Sequence, residues 1–237
     1  MAAALVAVMA LVACGDDEDS SAPATTTTVA PTTSTTLSQI QLDKQKAERI
    51  VLTAADVPGF AEEPPDPDDE GDAETEAAIL ACLNNDPLIL RLGEDDDPRG
   101  AGSPEFAKGD DSVSSSVTFA ENEDQARAAM TALSASAFPT CFSRALTEGL
   151  RRDRTLTNVS ATTTRLPALT VGDQSTGIRS VVRFRAQGTA VTVYVDNTFI
   201  RTGRALAILD VSTVTTPFPT AERSRLATLT AGRLAAP

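Results

Sequence analysis

The chain has 237 residues with 33 acidic and 20 basic side chains, a formal charge of -13 and a pI near 4.4, and it contains no histidine. The missing imidazole excludes Ser-His-Asp and Cys-His catalysis, histidine-ligated zinc and histidine acid/base chemistry near neutral pH. The negative charge argues against nucleic acid as the main partner.

Residues 2–13, AAALVAVMALVA, form an unbroken apolar run. It is too short to span a bilayer and has the length of a signal-peptide core. The following Leu11-Val12-Ala13-Cys14-Gly15 resembles the bacterial lipobox, a branched apolar residue and small residues before a cysteine. That resemblance implies transfer of a diacylglyceryl group to the Cys14 thiol and cleavage after Ala13. Residues 1–13 are therefore expected to be a lipoprotein signal peptide, with Cys14 as the lipidation site. Two or more acyl chains, palmitate among them, give stable anchoring where one gives only reversible binding. The expected location is the outer face of the cell membrane. One feature departs from the pattern, since no Lys or Arg precedes the apolar run.

Residues 14–37 carry Asp16-Asp17-Glu18-Asp19 and then a Thr-rich stretch with almost nothing apolar to bury. Such composition predicts a disordered tether, which leaves residues 38–237 as a single folded domain. Charge is uneven along the chain: residues 1–124 hold 27 acidic and 6 basic side chains, and residues 125–237 hold 6 and 14. Of the 20 basic residues 17 are Arg, the usage of a high-GC genome.

Periodicity then sets out the elements. A short helix is expected over 43–50 and a helical turn over 52–58, stopped by Pro58 and Gly59. An acidic loop follows at 61–72, a helix at 73–83 and a further loop at 93–104. Alternation of Val113, Ser115, Val117 and Phe119 predicts a strand over 112–119. Asn122 and Gln125 make a capping-box-like start for a helix of about 122–136, and a second helix begins near Pro139. Segments 155–164, 176–187, 189–200 and 204–214 are rich in Val, Thr and Ile and read as strands, with hairpin turns at Gln187-Gly188 and Thr202-Gly203. In 189–200, Val191, Val193 and Val195 face the core and Thr192, Tyr194 and Asp196 face water. Pro219-Thr220 opens a final helix carrying Leu226, Leu229 and Leu234. The order predicts an α+β fold: a central antiparallel sheet of about five strands with helices packed on it.

With Cys14 lipidated, Cys82 and Cys141 remain. An even pair in an exported domain predicts a disulfide, the alternative being two buried free thiols. Arg179, Arg183 and Arg185 share one side of a strand at period two, a face suited to gripping a phosphate or carboxylate, or else a solvated face that pairs with the domain's own carboxylates. The acidic runs Asp66, Asp68, Asp69, Glu70, Asp72 and Glu94-Asp95-Asp96-Asp97 invite a calcium reading. They fail the EF-hand pattern, because the twelfth position is Ala77 and Pro67 stiffens the loop, so no metal site is expected. Ser-Lys chemistry lacks a motif around Lys44, Lys46 or Lys108, and no carboxylate pair is singled out for acid/base work. No enzyme activity and no cofactor are expected.

The opening LTAADVPGF, the Cys82 helix followed by Asp-Pro, the strand-then-helix SVTFAENEDQARAAMTAL, the Cys141 helix and the late alternating hairpin together resemble the PknH-like extracellular sensor domain. That domain is found on actinobacterial receptor kinases and on lipid-anchored proteins. The resemblance covers roughly residues 40–235, without the second cysteine pair and the tryptophans that family members often carry. It implies a central antiparallel sheet, a concave face open to a ligand and a role in envelope sensing or binding. The expected function is that of an exported, lipid-anchored envelope protein with a non-enzymatic ligand-binding or sensor-like domain. Its expected partners are the membrane, through the lipid on Cys14, and an anionic small molecule, a lipid or an envelope protein. The alternatives are a scaffold lipoprotein with no small-molecule site, or an accessory to lipid or glycan transport.

Overall fold

The computed structural model describes residues 37–64, 73–92 and 97–236. Helix α1 (Gln39–Ile50) starts at Ser38, whose hydroxyl accepts from the Gln41 N–H while the Gln41 side chain accepts from the Ser38 N–H. That reciprocal cap sets the helix start four residues ahead of the expected 43. A 3-10 turn at Ala54–Asp56 follows, then strand β1 (Ala61–Glu63) and helices α2 (Ala73–Cys82) and α3 (Pro87–Arg91). Next come β2 (Gly100–Gly102), β3 (Glu105–Lys108) and β4 (Asp111–Phe119), then α4 (Glu123–Ser134) and α5 (Phe138–Leu150). The chain closes with β5 (Leu156–Arg165), β6 (Gln174–Ala186), β7 (Thr189–Thr202), β8 (Ala205–Val214) and α6 (Thr220–Ala235).

The fold is α+β, with one antiparallel sheet of eight strands in the order β1-β3-β4-β8-β7-β6-β5 and β2 also paired to β4. The sheet is larger than the five strands expected. Its additional strands β1, β2 and β3 are three or four residues long; β1 and β2 lie where the sequence reads as loop, and β3 lies in a segment for which no element is expected. The meander from β5 to β8 is as expected, and the Gln187-Gly188 turn has positive φ at both residues, 50° and 81°, the requirement of a type I′ hairpin. The β7–β8 turn lies one residue later than expected, because Thr202 pairs with Ala205 and leaves Gly203-Arg204 as the loop.

Both faces of the sheet carry helices, which corrects the expectation of one wet face. Ala205, Ala207, Leu209 and Val211 of β8 point into a core shared with α1 and α6. Leu206 and Ile208, between them, point into a second core with α3, α4 and Phe138 of α5. Alternation along one strand thus feeds two layers. At the outer edge, Ser143 Oγ and Thr147 Oγ1 of α5 accept from the Thr163 and Ala161 N–H groups of β5 at 2.6 and 3.0 Å. These two bonds cover an edge that would otherwise present free donors. Cys82 and Cys141 form a disulfide with Cα atoms 5.6 Å apart, tying α2 to α5.

Candidate functional site

The register places Arg179 opposite Asp196, Arg183 opposite Thr192 and Arg185 opposite Ala190, so the three arginines of β6 share the face on which α6 packs. They differ in surroundings. Arg179 directs Nε and Nη2 to the two carboxylate oxygens of Asp196, each at 2.6 Å, a bidentate fork. Asp196 is only 1% exposed, which corrects its expected outward position. The bond to Asp196 outweighs desolvation and raises the pKa of Arg179 above its ordinary value. Arg183 and Arg185 are exposed toward the turn end of the strand. Arg185 donates to the Gly188 carbonyl at 2.9 Å, and neither has a carboxylate partner among the described residues.

Helix α6 adds a fourth arginine that the sequence reading missed. Arg223 is 1% exposed and stands on the inner stripe with Leu226, Ala227, Thr230, Ala231 and Leu234. The signal was available, since a residue three before Leu226 falls on the same helical face. Burial lowers the pKa of Arg223, and the nearby Asp196 charge opposes that shift. Its Nε and Nη1 have no hydrogen-bond partner, nor do the buried hydroxyls of Thr198 on β7 and Thr230 on α6.

A second cluster lies under α1. Asp43, 2% exposed, accepts from Gln39 Nε2 at 2.9 Å, Arg99 Nη1 at 2.8 Å and Arg204 Nη1 at 2.8 Å, and also from Arg204 Nη2. Desolvation pushes its carboxyl upward, but the bonds from Arg204 and Gln39 prevail and leave it below the usual range. Arg204 also stacks 5.1 Å from the Phe119 ring centre. Beside this cluster opens a cleft of about 450 Å³, lined in part by Leu42, Lys46, Phe119, Glu123, Arg204 and Leu234.

On the opposite face Asn197 Nδ2 donates to Asp210, its cross-strand neighbour, and burial pushes the Asp210 carboxyl up to about 6. No cation pairs with it among the described residues. A perturbed carboxyl can mark a catalytic site, but among the described residues its side-chain hydrogen bond is to the Asn197 amide, not to a nucleophile. The lysines are dispersed: Lys44 donates to the Asp97 carbonyl at 3.4 Å, Lys108 lies 5.9 Å over the Phe60 ring, and Lys46 lines the cleft.

Cys14 and the acidic run from Asp66 to Asp72 lie outside the described residues, as do Glu94, Asp95 and Asp96. Asp97 is a core carboxylate, 1% exposed, accepting from the Thr118 hydroxyl and from the Arg99 N–H at 3.0 Å. The described residues hold no group of three metal-ligating side chains. None of the described helices is long and apolar enough to cross a membrane. No family model matches the chain and no curated protein matches it.

Proposed function

We propose that the protein is an exported lipoprotein, held on the outer face of the cell membrane through Cys14, whose domain binds an anionic ligand or envelope component without catalysing a reaction. The lipobox and the Thr-rich tether support the anchoring half of this reading. The binding half rests on one observation: in a chain of charge -13, Arg183 and Arg185 stand exposed on one strand face without an acidic partner among the described residues. A guanidinium fork left open to solvent is suited to carboxylate or phosphate. The resemblance to the PknH-like sensor domain points the same way, toward an envelope-sensing role.

A second reading, an interaction surface for an envelope protein, is favoured by Ile40 and Leu42 of α1. These are large apolar side chains left 41% and 45% exposed, and Leu42 lines the cleft.

Two measurements test the proposal. Mass spectrometry of protein extracted from the envelope membrane is expected to give a chain starting at a diacylglyceryl-modified Cys14, and an unmodified Met1 terminus would contradict the anchoring. Calorimetric titration with phosphate and with dicarboxylates is expected to show binding that weakens when Arg183 and Arg185 are both changed to Ser. Unchanged binding in that double variant would reject the exposed face as the site.

A further inference from the structure

The interface between α6 and β7 is built with a charge it does not balance. Arg179, Asp196 and Arg223 together carry one net positive charge, and the charges acting on Arg223 are those of Asp196 and Arg179. Both oxygens of Asp196 already accept from Arg179. Arg223, at 1% exposure, keeps Nε and Nη1 without a partner. Two further hydroxyls in the same layer, Thr198 at 2% exposure and Thr230 at 0%, are also unpartnered. Guanidinium N–H groups only donate, and a threonine hydroxyl can donate. The unpartnered groups here are thus able to donate to an anion, and no carboxylate oxygen among the described residues is buried without a partner.

We infer that a single small anion binds beneath α6, on Arg223 and the polar seam that α6 shares with β7. It is either a free inorganic anion or the carboxylate or phosphate head of a larger ligand. This inference deepens the anion-binding reading given above, but it uses a different set of residues, so the two fail separately. Binding there completes the hydrogen bonding of a buried guanidinium whose desolvation the Asp196 charge offsets only in part.

The test uses the full mature chain exchanged into a dilute buffer free of chloride, phosphate and carboxylates, with a bulky organic sulfonate holding the ionic strength constant. Chloride is added and its NMR line broadening followed, with inorganic phosphate as competitor. Saturable broadening is expected in the unaltered protein. In Arg223→Met the affinity is expected to fall about tenfold or more, the size of one lost charge-assisted hydrogen bond. In the Arg183→Ser/Arg185→Ser double variant it is expected to be unchanged. Competition by phosphate supports a site open to headgroups, and lack of competition supports a site for halide alone. Absence of saturable broadening overturns the inference, as does wild-type affinity in Arg223→Met. Loss confined to the double variant overturns it too, while leaving the exposed face as the anion site. Should Arg223→Met fail to fold, a bromide-soaked crystal of the unaltered protein decides the matter. An anomalous peak within hydrogen-bond distance of Arg223 supports the site, and a seam filled only by water overturns it.

Discussion

Two clusters of one aspartate and two arginines lie on the same side of the sheet, one under α1 and one under α6. In the first, Asp43 takes bonds from Arg99, Arg204 and Gln39. Arg204 also donates to the Ala120 carbonyl at 2.8 Å, and no atom of the cluster is left buried and unpartnered. In the second, each oxygen of Asp196 accepts from Arg179, and Arg223 beside it has two buried atoms without a hydrogen-bond partner. Composition and net charge are alike, so what separates a structural cluster from a binding one is whether the partners are complete. The first is expected to respond to mutation as a strut, and the second as a site.

The largest expected effect is on the strut. Asp43→Ala leaves Arg99 and Arg204 in a half-buried setting without their carboxylate and is expected to cost roughly 3–5 kcal/mol, read from guanidinium unfolding. A loss below about 1 kcal/mol would break the comparison, because it would make this cluster as dispensable as a surface pair. The disulfide comes next. It closes a loop over a sequence separation of 59 and ties to α5 a helix that buries none of its residues. Replacing Cys82 and Cys141 by Ser is expected to cost about 4 kcal/mol on the chain-entropy account, and less if the denatured chain is compact. Protease cleavage within α2 is expected to appear first.

A pH series sharpens the contrast between carboxylates. The carboxyl of Asp210 sits at about 6 in the folded chain, above the value near 3.9 of an unfolded aspartate. The native state therefore holds the extra proton between those values, and stability rises as pH falls from about 7 toward 4. Asp43 has the opposite sign. Its depressed value contributes stability above about pH 4 that is lost as pH falls further. Urea midpoints are expected to peak in the mildly acidic range. Asp210→Asn is expected to gain on the order of 2 kcal/mol at neutral pH and to flatten the upper limb. An unchanged upper limb would remove Asp210 from the account. The smallest effect belongs to the site: Arg223→Met exchanges an unpaired guanidinium for an apolar chain of similar length. It is expected to alter stability by less than about 1 kcal/mol, or to raise it. A large loss would show that Arg223 is a strut after all.

Much of the sheet was legible because β4 and the β5–β8 meander announce themselves through Val, Thr and Ile alternation and glycine turns. The short strands β1, β2 and β3 were not. Gly100-Ala101-Gly102 has no periodic signal, and the Thr118 hydroxyl, on the residue paired with Gly100, donates to Asp97 only once the sheet forms. Gly100 is tied to that arrangement, since a Cβ there would meet the Asp97 carboxylate and the Val117 carbonyl. The arginine row on β6 was readable from its period, but its division was not. Whether Arg179 faces water or Asp196 is settled by the β6–β7 register, which sets the two residues directly opposite each other. The same holds for Arg223, whose place on the inner stripe is visible in the helix register while its missing partners are visible only in three dimensions.

The central claim is that this domain is organised to take up an anion. Native mass spectrometry of the mature protein, purified from its own envelope without harsh exchange, tests it most directly. The account predicts a stoichiometric adduct of anionic mass that is lost or weakened when Arg183, Arg185 and Arg223 are replaced together. A clean apo mass, with no adduct recovered on adding phosphate, carboxylates or envelope lipid, would contradict it.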